Sequence, residues 1–93
     1  MDLHARIDAL LLAAEQIGLV VQKAPISGEG GGLCVVKGAR RLFVDTLADA
    51  QTRYERTLEA LAGVKEVEQL YLPPEVRDDL ERVEAQLRDG RTQ

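Results

Sequence analysis

The chain has no tryptophan, only one cysteine and one histidine, and three aromatic residues in all among its 93 residues. Each shortage removes something. Cys34 alone cannot close an internal disulfide and cannot build a multi-thiolate metal site. His4, the single imidazole, falls in the first turn of the first helical stretch, where a solvated residue is the ordinary reading. The core has to be made from Leu, Val, Ile and Ala. A chain of this length buries roughly two thirds of the surface its unfolded form exposes. Such a core is thin, and a second copy or another protein would extend it. Net positive charge is missing too: the formal charge is −4. Nonspecific nucleic-acid binding draws on Lys and Arg neutralising phosphates, so no nucleic acid is expected as a partner. The longest apolar run, Ala9 to Ala14, is far short of the roughly 20 residues of a membrane span. With Asp2, Arg6 and Asp8 at the start in place of a basic region before an apolar stretch, the reading is a cytoplasmic protein without a membrane partner.

What is present is a regular alternation of patterns. Leu3, Ile7, Leu10, Leu11, Ala14 and Ile17 follow helical spacing, and Gly18 is placed to end that helix in a left-handed conformation. LVVQKAPI favours a strand, pushed by Pro25 toward a sheet edge or a strand end. LCVVKGARRLFVD predicts two strands with a tight turn at Gly38-Ala39 of type II′, Leu42 and Val44 on one face of the second strand and Phe43 on the other. Leu47, Ala50, Tyr54, Leu58 and Leu61 predict a helix to Ala62, capped by Asp49 or Thr46 and ended by Gly63. VEQLYLPP predicts a short strand, with Leu70 and Leu72 on one side and Tyr71 on the other. Pro73 and Pro74 then open a last helix, with Gly90 as its stop signal. The expected fold is a single α+β domain over residues 1–93 with a small, mostly antiparallel sheet of three or four strands, in the order α-β-β-β-α-(β)-α.

Four of the eight glycines stand between Ile26 and Leu33, in ISGEGGGL. A phosphate-binding loop needs two glycines four apart, a following Lys and Ser or Thr, and a helix to open. Here the run leads into Leu33-Cys34-Val35-Val36, which reads as a strand, and Glu29 would repel a phosphate. The glycines are therefore read as a connection between strands. A ligand or a peptide strand approaching the bare backbone of Gly30, Gly31 and Gly32 is the alternative. Cys34, between Leu33 and Val35, is read as a packed thiol, since free cysteine usually behaves as a small hydrophobe. The sharper alternative is a pocket around Cys34, the glycine run and Tyr54, with a reactive thiol favoured by Lys37 or Arg53. The carboxylates Asp78, Asp79, Glu81 and Glu84 alternate with Arg77, Arg82 and Arg88 as a solvated helix face rather than a metal site. No catalytic, metal-binding or cofactor-binding residue is assigned, and no cofactor is expected.

Two surfaces remain as candidates. Val76, Leu80, Val83 and Leu87 form a stripe narrow enough for either a helix laid across the sheet or a seam for a partner helix. Lys37, Arg40 and Arg41 make one basic spot at the hairpin, able to receive an acidic partner or another copy of this Glu-rich chain.

The segment GGLCVVKGARRLFVDTLADAQTRYERTLEALAG resembles the entry to the ImmA/IrrE-type metallopeptidase domain, where a glycine-bearing strand, a short turn and a second strand precede a helix reading T-L-A-H-E-L-G-H. The corresponding residues are Thr57 to Val64, and Thr57, Leu58 and Gly63 match. The positions of the two zinc histidines hold Ala60 and Val64, and that of the catalytic glutamate holds Leu61. The resemblance thus implies the scaffold without its zinc or its activated water. The chain is also similar in general aspect to short bacterial proteins, which implies no activity. The expected function is a small non-catalytic protein-interaction or structural module, a homodimer or a partner of another protein. A small ligand-binding protein or enzyme around Cys34 is the alternative.

Overall fold

A computed structural model describes residues 1–91. The first helix, α1 (Leu3–Gln16), starts where the Asp2 carboxylate accepts the Ala5 N–H at 2.8 Å. It ends as Gly18, at φ +87°, lets the N–H groups of Gly18 and Leu19 return to the carbonyls of Glu15 and Ala14. Strands β1 (Val20–Ala24), β2 (Gly31–Val36) and β3 (Ala39–Asp45) follow, then α2 (Ala50–Ala62) and α3 (Pro74–Arg91). Asp49 caps α2 by accepting the Thr52 N–H at 2.7 Å, which holds its carboxyl below the usual range.

The protein is α+β, but its sheet is mixed rather than mostly antiparallel. The order is β1-β3-β2, with β3 in the centre, antiparallel to β2 and parallel to β1. The β2–β3 hairpin folds back so that β3 slots between β2 and β1, which leaves β1 and β2 as the two edges. The turn also differs from expectation. Val36 pairs with Ala39, so the two loop residues are Lys37 and Gly38, both at positive φ (52° and 80°). That is a type I′ turn one residue earlier, whose twist matches that of the strands it joins.

No fourth strand forms among the described residues. Lys65–Gln69 winds into a 3₁₀ turn, Leu70 is extended, and Leu70 to Pro73 join no strand. Arg77 fixes this passage, its guanidinium donating to the carbonyls of Leu70 at 2.5 Å and Val67 at 3.3 Å. Those carbonyls are thereby used by a side chain instead of a neighbouring strand. The predicted alternation survives without the ladder: Leu72 is buried and Tyr71 is 83% exposed. Gly90 does not stop α3, which continues to Arg91.

Helices α1 and α2 cover one face of the sheet. Leu42 and Val44 of β3 meet Leu10, Leu11 and Ala14 of α1 and Leu58 and Leu61 of α2 in a single apolar cluster. α3 lies against α2 and α1, completing that cluster with Val76, Leu80 and Val83. Tyr54 ties the three helices together. Its hydroxyl donates to Asp79 at 2.6 Å, and Arg6 donates to the same carboxylate oxygen at 2.9 Å. Burial first, and the bond to Asp79 second, push the Tyr54 hydroxyl well above its ordinary range, so it stays a donor. No described helix is long and apolar enough to cross a membrane.

Candidate interaction surface

The glycine run does hold an anion, and the anion is the protein's own. Asp45, the last residue of β3, is fully buried. One carboxylate oxygen accepts the N–H groups of Ile26 and Leu47, both at 3.0 Å. The other accepts from Ser27 at 2.9 Å, from Gly28, and from Gly30 at 3.4 Å. Burial by itself would push this carboxyl up. The backbone donors of Ile26, Ser27, Leu47 and Gly28 more than offset that and hold it well below the usual carboxylate range. Four N–H groups of this loop, those of Ile26, Ser27, Gly28 and Gly30, are thus already turned onto an internal carboxylate, so the nest they form is filled and does not face a phosphate. The pattern D-T-L after a strand hints at the local bond to Leu47 alone, because the other four partners lie 15 to 19 residues away.

Several expectations about single residues change with the fold in hand. Cys34 is exposed, not packed: its side chain lies on the sheet face opposite the helices. The reason is strand parity. Leu33 turns toward α2 and the core, so its neighbour must turn outward. Tyr54 points to the other side of the molecule, into the helix cluster, and does not share a pocket with Cys34. Val76, Leu80 and Val83 are between 0 and 2% exposed and belong to the core, so they offer no seam. Only Leu87 of that stripe reaches the surface, at 38%.

The basic spot is divided as well. Arg40 and Arg41 are consecutive in β3 and point to opposite faces. Arg40 pairs with Glu66 at 2.6 Å, a bond that holds Glu66 below its usual range. Arg41 lies on the open face, where Nη1 donates to Gln22 at 3.4 Å and the buried Nε has no acceptor. Lys37 stays exposed at the hairpin tip.

What the fold does bring together is an uncovered apolar face. Cross-strand neighbours there are Val20, Arg41 and Cys34 in one row, and Gln22, Phe43 and Gly32 in the next. Val20, Val36 and Ile26 are exposed on or beside it. An open hollow of about 440 Å³ is lined by Ile26, Glu29, Gly31, Gly32, Cys34 and Phe43 among others. Of the residues expected around a ligand, Gly31, Gly32 and Cys34 line this hollow, Tyr54 does not, and Gly30 is buried behind it under Arg56. Val20 and Phe43, the other apolar members, are ordinary strand residues in sequence and became visible only with the strand order.

The stretch resembling the metallopeptidase helix spans the second half of α2 and its cap. Leu58, Leu61 and Val64 face the core, and Ala60 borders β2. No cluster of three or more His, Cys, Asp or Glu side chains able to hold a metal occurs among the described residues. In comparison with known proteins, the chain matches no family model, no curated protein and no solved structure.

Proposed function

We propose that this chain is a small non-catalytic interaction module of the cytoplasm that works through the uncovered side of its sheet. One observation carries the reading: α1 and α2 pack on one face of the sheet with α3 laid against them, which leaves Val20, Phe43, Val36 and Cys34 on the other with no helix over them. Contiguous apolar surface rimmed by polar groups marks interaction sites in soluble proteins. Arg41 in its midst, short of acceptors, favours a partner that brings a carbonyl or carboxylate to the same place. On this reading the hairpin and helix that resemble the metallopeptidase scaffold serve as framework only. Ala60, Leu61 and Val64 stand where zinc ligands and base would be needed.

The test is a native mass spectrum of the untagged chain purified without added metal. Protein mass beyond one chain, either a second copy or another polypeptide, agrees with the module. A single chain that retains a stoichiometric small molecule or metal overturns it.

A second reading has its own observation. The hollow beside Cys34 joins an exposed thiol to apolar walls and to bare glycine backbone, which suits a small ligand. Thiol labelling separates the two. An exposed thiol without special activation reacts with a disulfide reagent at the rate of an unfolded peptide. A rate at least about tenfold above that peptide would indicate an activated thiolate and favour the ligand site.

A further inference from the structure

We infer that the free edge of β2 joins two copies of this chain, each laying its β2 antiparallel along the other to make one six-stranded sheet. The inference rests on the interaction-module reading and supplies its partner.

The two edges of the sheet are treated differently by the sequence. Natural edge strands are blunted by lysine, proline, bulges or a covering element. β1 carries Lys23 and is followed at once by Pro25. β2, Gly-Gly-Leu-Cys-Val-Val, has neither charge nor proline, and Cys34, Val35 and Val36 are all exposed. Its backbone is available as well. The two-residue turn makes Val36 and Ala39 a bonded pair, and the alternation continues through Cys34–Arg41 and Gly32–Phe43. It ends at Gly30, whose carbonyl accepts the Asp45 N–H at 3.3 Å. The N–H and C=O groups of Gly31, Leu33 and Val35 therefore point away from β3.

One register uses all of them. With Leu33 opposite Leu33, Gly31 of each copy faces Val35 of the other, and roughly six backbone hydrogen bonds form. Side chains fit the same register. A groove of about 540 Å³ runs between β2 and α2, lined by Gly31, Gly32, Leu33, Arg56, Glu59 and Ala60 with Glu29 at its end. Val35, 69% exposed in its own chain, would enter the other copy's groove above the side-chain-free Gly31. The charges are self-complementary. A twofold contact pairs residue i with j and j with i, so Arg56 of each α2 can meet Glu59 of the other. Their present bond within one helix, 2.9 Å long, is exposed and readily shared. On the open face Cys34 comes opposite Gly32, and the two apolar surfaces run together.

Sedimentation equilibrium on the untagged full chain tests this, together with cross-linking by a bismaleimide about 8 Å long. The register sets the two Cys34 Cα atoms on a diagonal roughly 7–8 Å apart. Wild type should sediment as two chains and cross-link through Cys34. Val35→Glu sends a carboxylate into the groove beside Glu59, and Val35→Pro removes an outward N–H that β3 does not use. Each should weaken association about tenfold or more and abolish cross-linking. Val35 is exposed and outside the β3 hydrogen bonds, so both variants keep the wild-type circular dichroism. A wild-type chain that sediments as one at about 100 μM overturns the inference. So does a dimer that both Val35 variants form as tightly as wild type. If that dimer were lost in Phe43→Glu, the contact would move to the open face and the module reading would stand. A lone chain retaining a small molecule in the mass spectrum would remove both.

Discussion

The sheet has two ends, and each carries one of the features that stand out in the sequence. At one end the strand termini Ala24, Gly31 and Asp45 converge and the loop through the glycines is wound around the Asp45 carboxylate. At the other end Lys37 and Gly38 make a bare two-residue turn in solvent. Both ends depend on positive φ. The loop of six residues cannot hold itself, because most of its N–H groups lack ladder partners, and it borrows a buried anion to satisfy them. The turn needs no anchor, because its own geometry continues the strands. Glycine therefore marks a fixed structure at one end and a local preference at the other.

Substitution of single glycines should expose that contrast most strongly. Gly31 has φ +100°, and a Cβ there would fall within the van der Waals shell of the Phe43 carbonyl, which is backbone and cannot swing aside. Gly31→Ala should cost about 4 kcal/mol, combining a forbidden conformation with a clash. Gly38 has φ +80° with nothing within 4 Å of the added carbon. Gly38→Ala should cost only about 1–2 kcal/mol. Urea denaturation of the two variants measures both numbers. Equal losses would mean that Gly31 owes its place to φ alone and that the β3 backbone yields.

Asp45 should come next, with a pH signature that the turn cannot show. Asp45→Asn keeps one acceptor oxygen but turns the other into a donor aimed at donors, so the loop should open and its amides should exchange faster. The lowered pKa of Asp45 fixes the sign. A carboxyl held below its ordinary value near 3.8 contributes stability that is fully present above that value. The contribution fades as pH falls through the depressed folded value. The stability gap between wild type and Asp45→Asn should therefore stay level from neutral pH to about pH 5 and narrow below about pH 4. A gap that is flat throughout would show that the charge of Asp45 is not what holds the loop.

How far the sequence anticipates this follows the range of the interactions. The helices, the Asp49 cap, the Gly18 terminus and the hairpin depend on residues a few positions apart, and they are legible in the chain. The face of Leu42 and Val44 was legible for the same reason. The site was less so. Whether Cys34 is packed or exposed depends on which strand face the helices cover, and strand parity alone leaves that open. Val76, Leu80 and Val83 show one apolar stripe whether they meet α2 or a partner. The Asp45 anchor is invisible because its donors are backbone groups, which every residue carries. The short strand expected at Leu70 to Leu72 had the right alternation but no neighbour to pair with.

The smallest expected effect lies at the turn and bears on function. Lys37 holds φ +52°, a conformation that Asn tolerates better than Lys, and Asn-Gly is a preferred pair for a type I′ turn. Lys37→Asn should raise stability by about 0.5 kcal/mol, read as a higher urea midpoint with an unchanged slope. Because the turn lies beyond the Gly31–Val35 span of the proposed contact, the same variant should sediment like wild type. If stability rose while association weakened, the lysine charge would belong to the partner surface. The hairpin tip, together with Arg41 on the open face, would then replace the β2 edge as the place where another chain is bound.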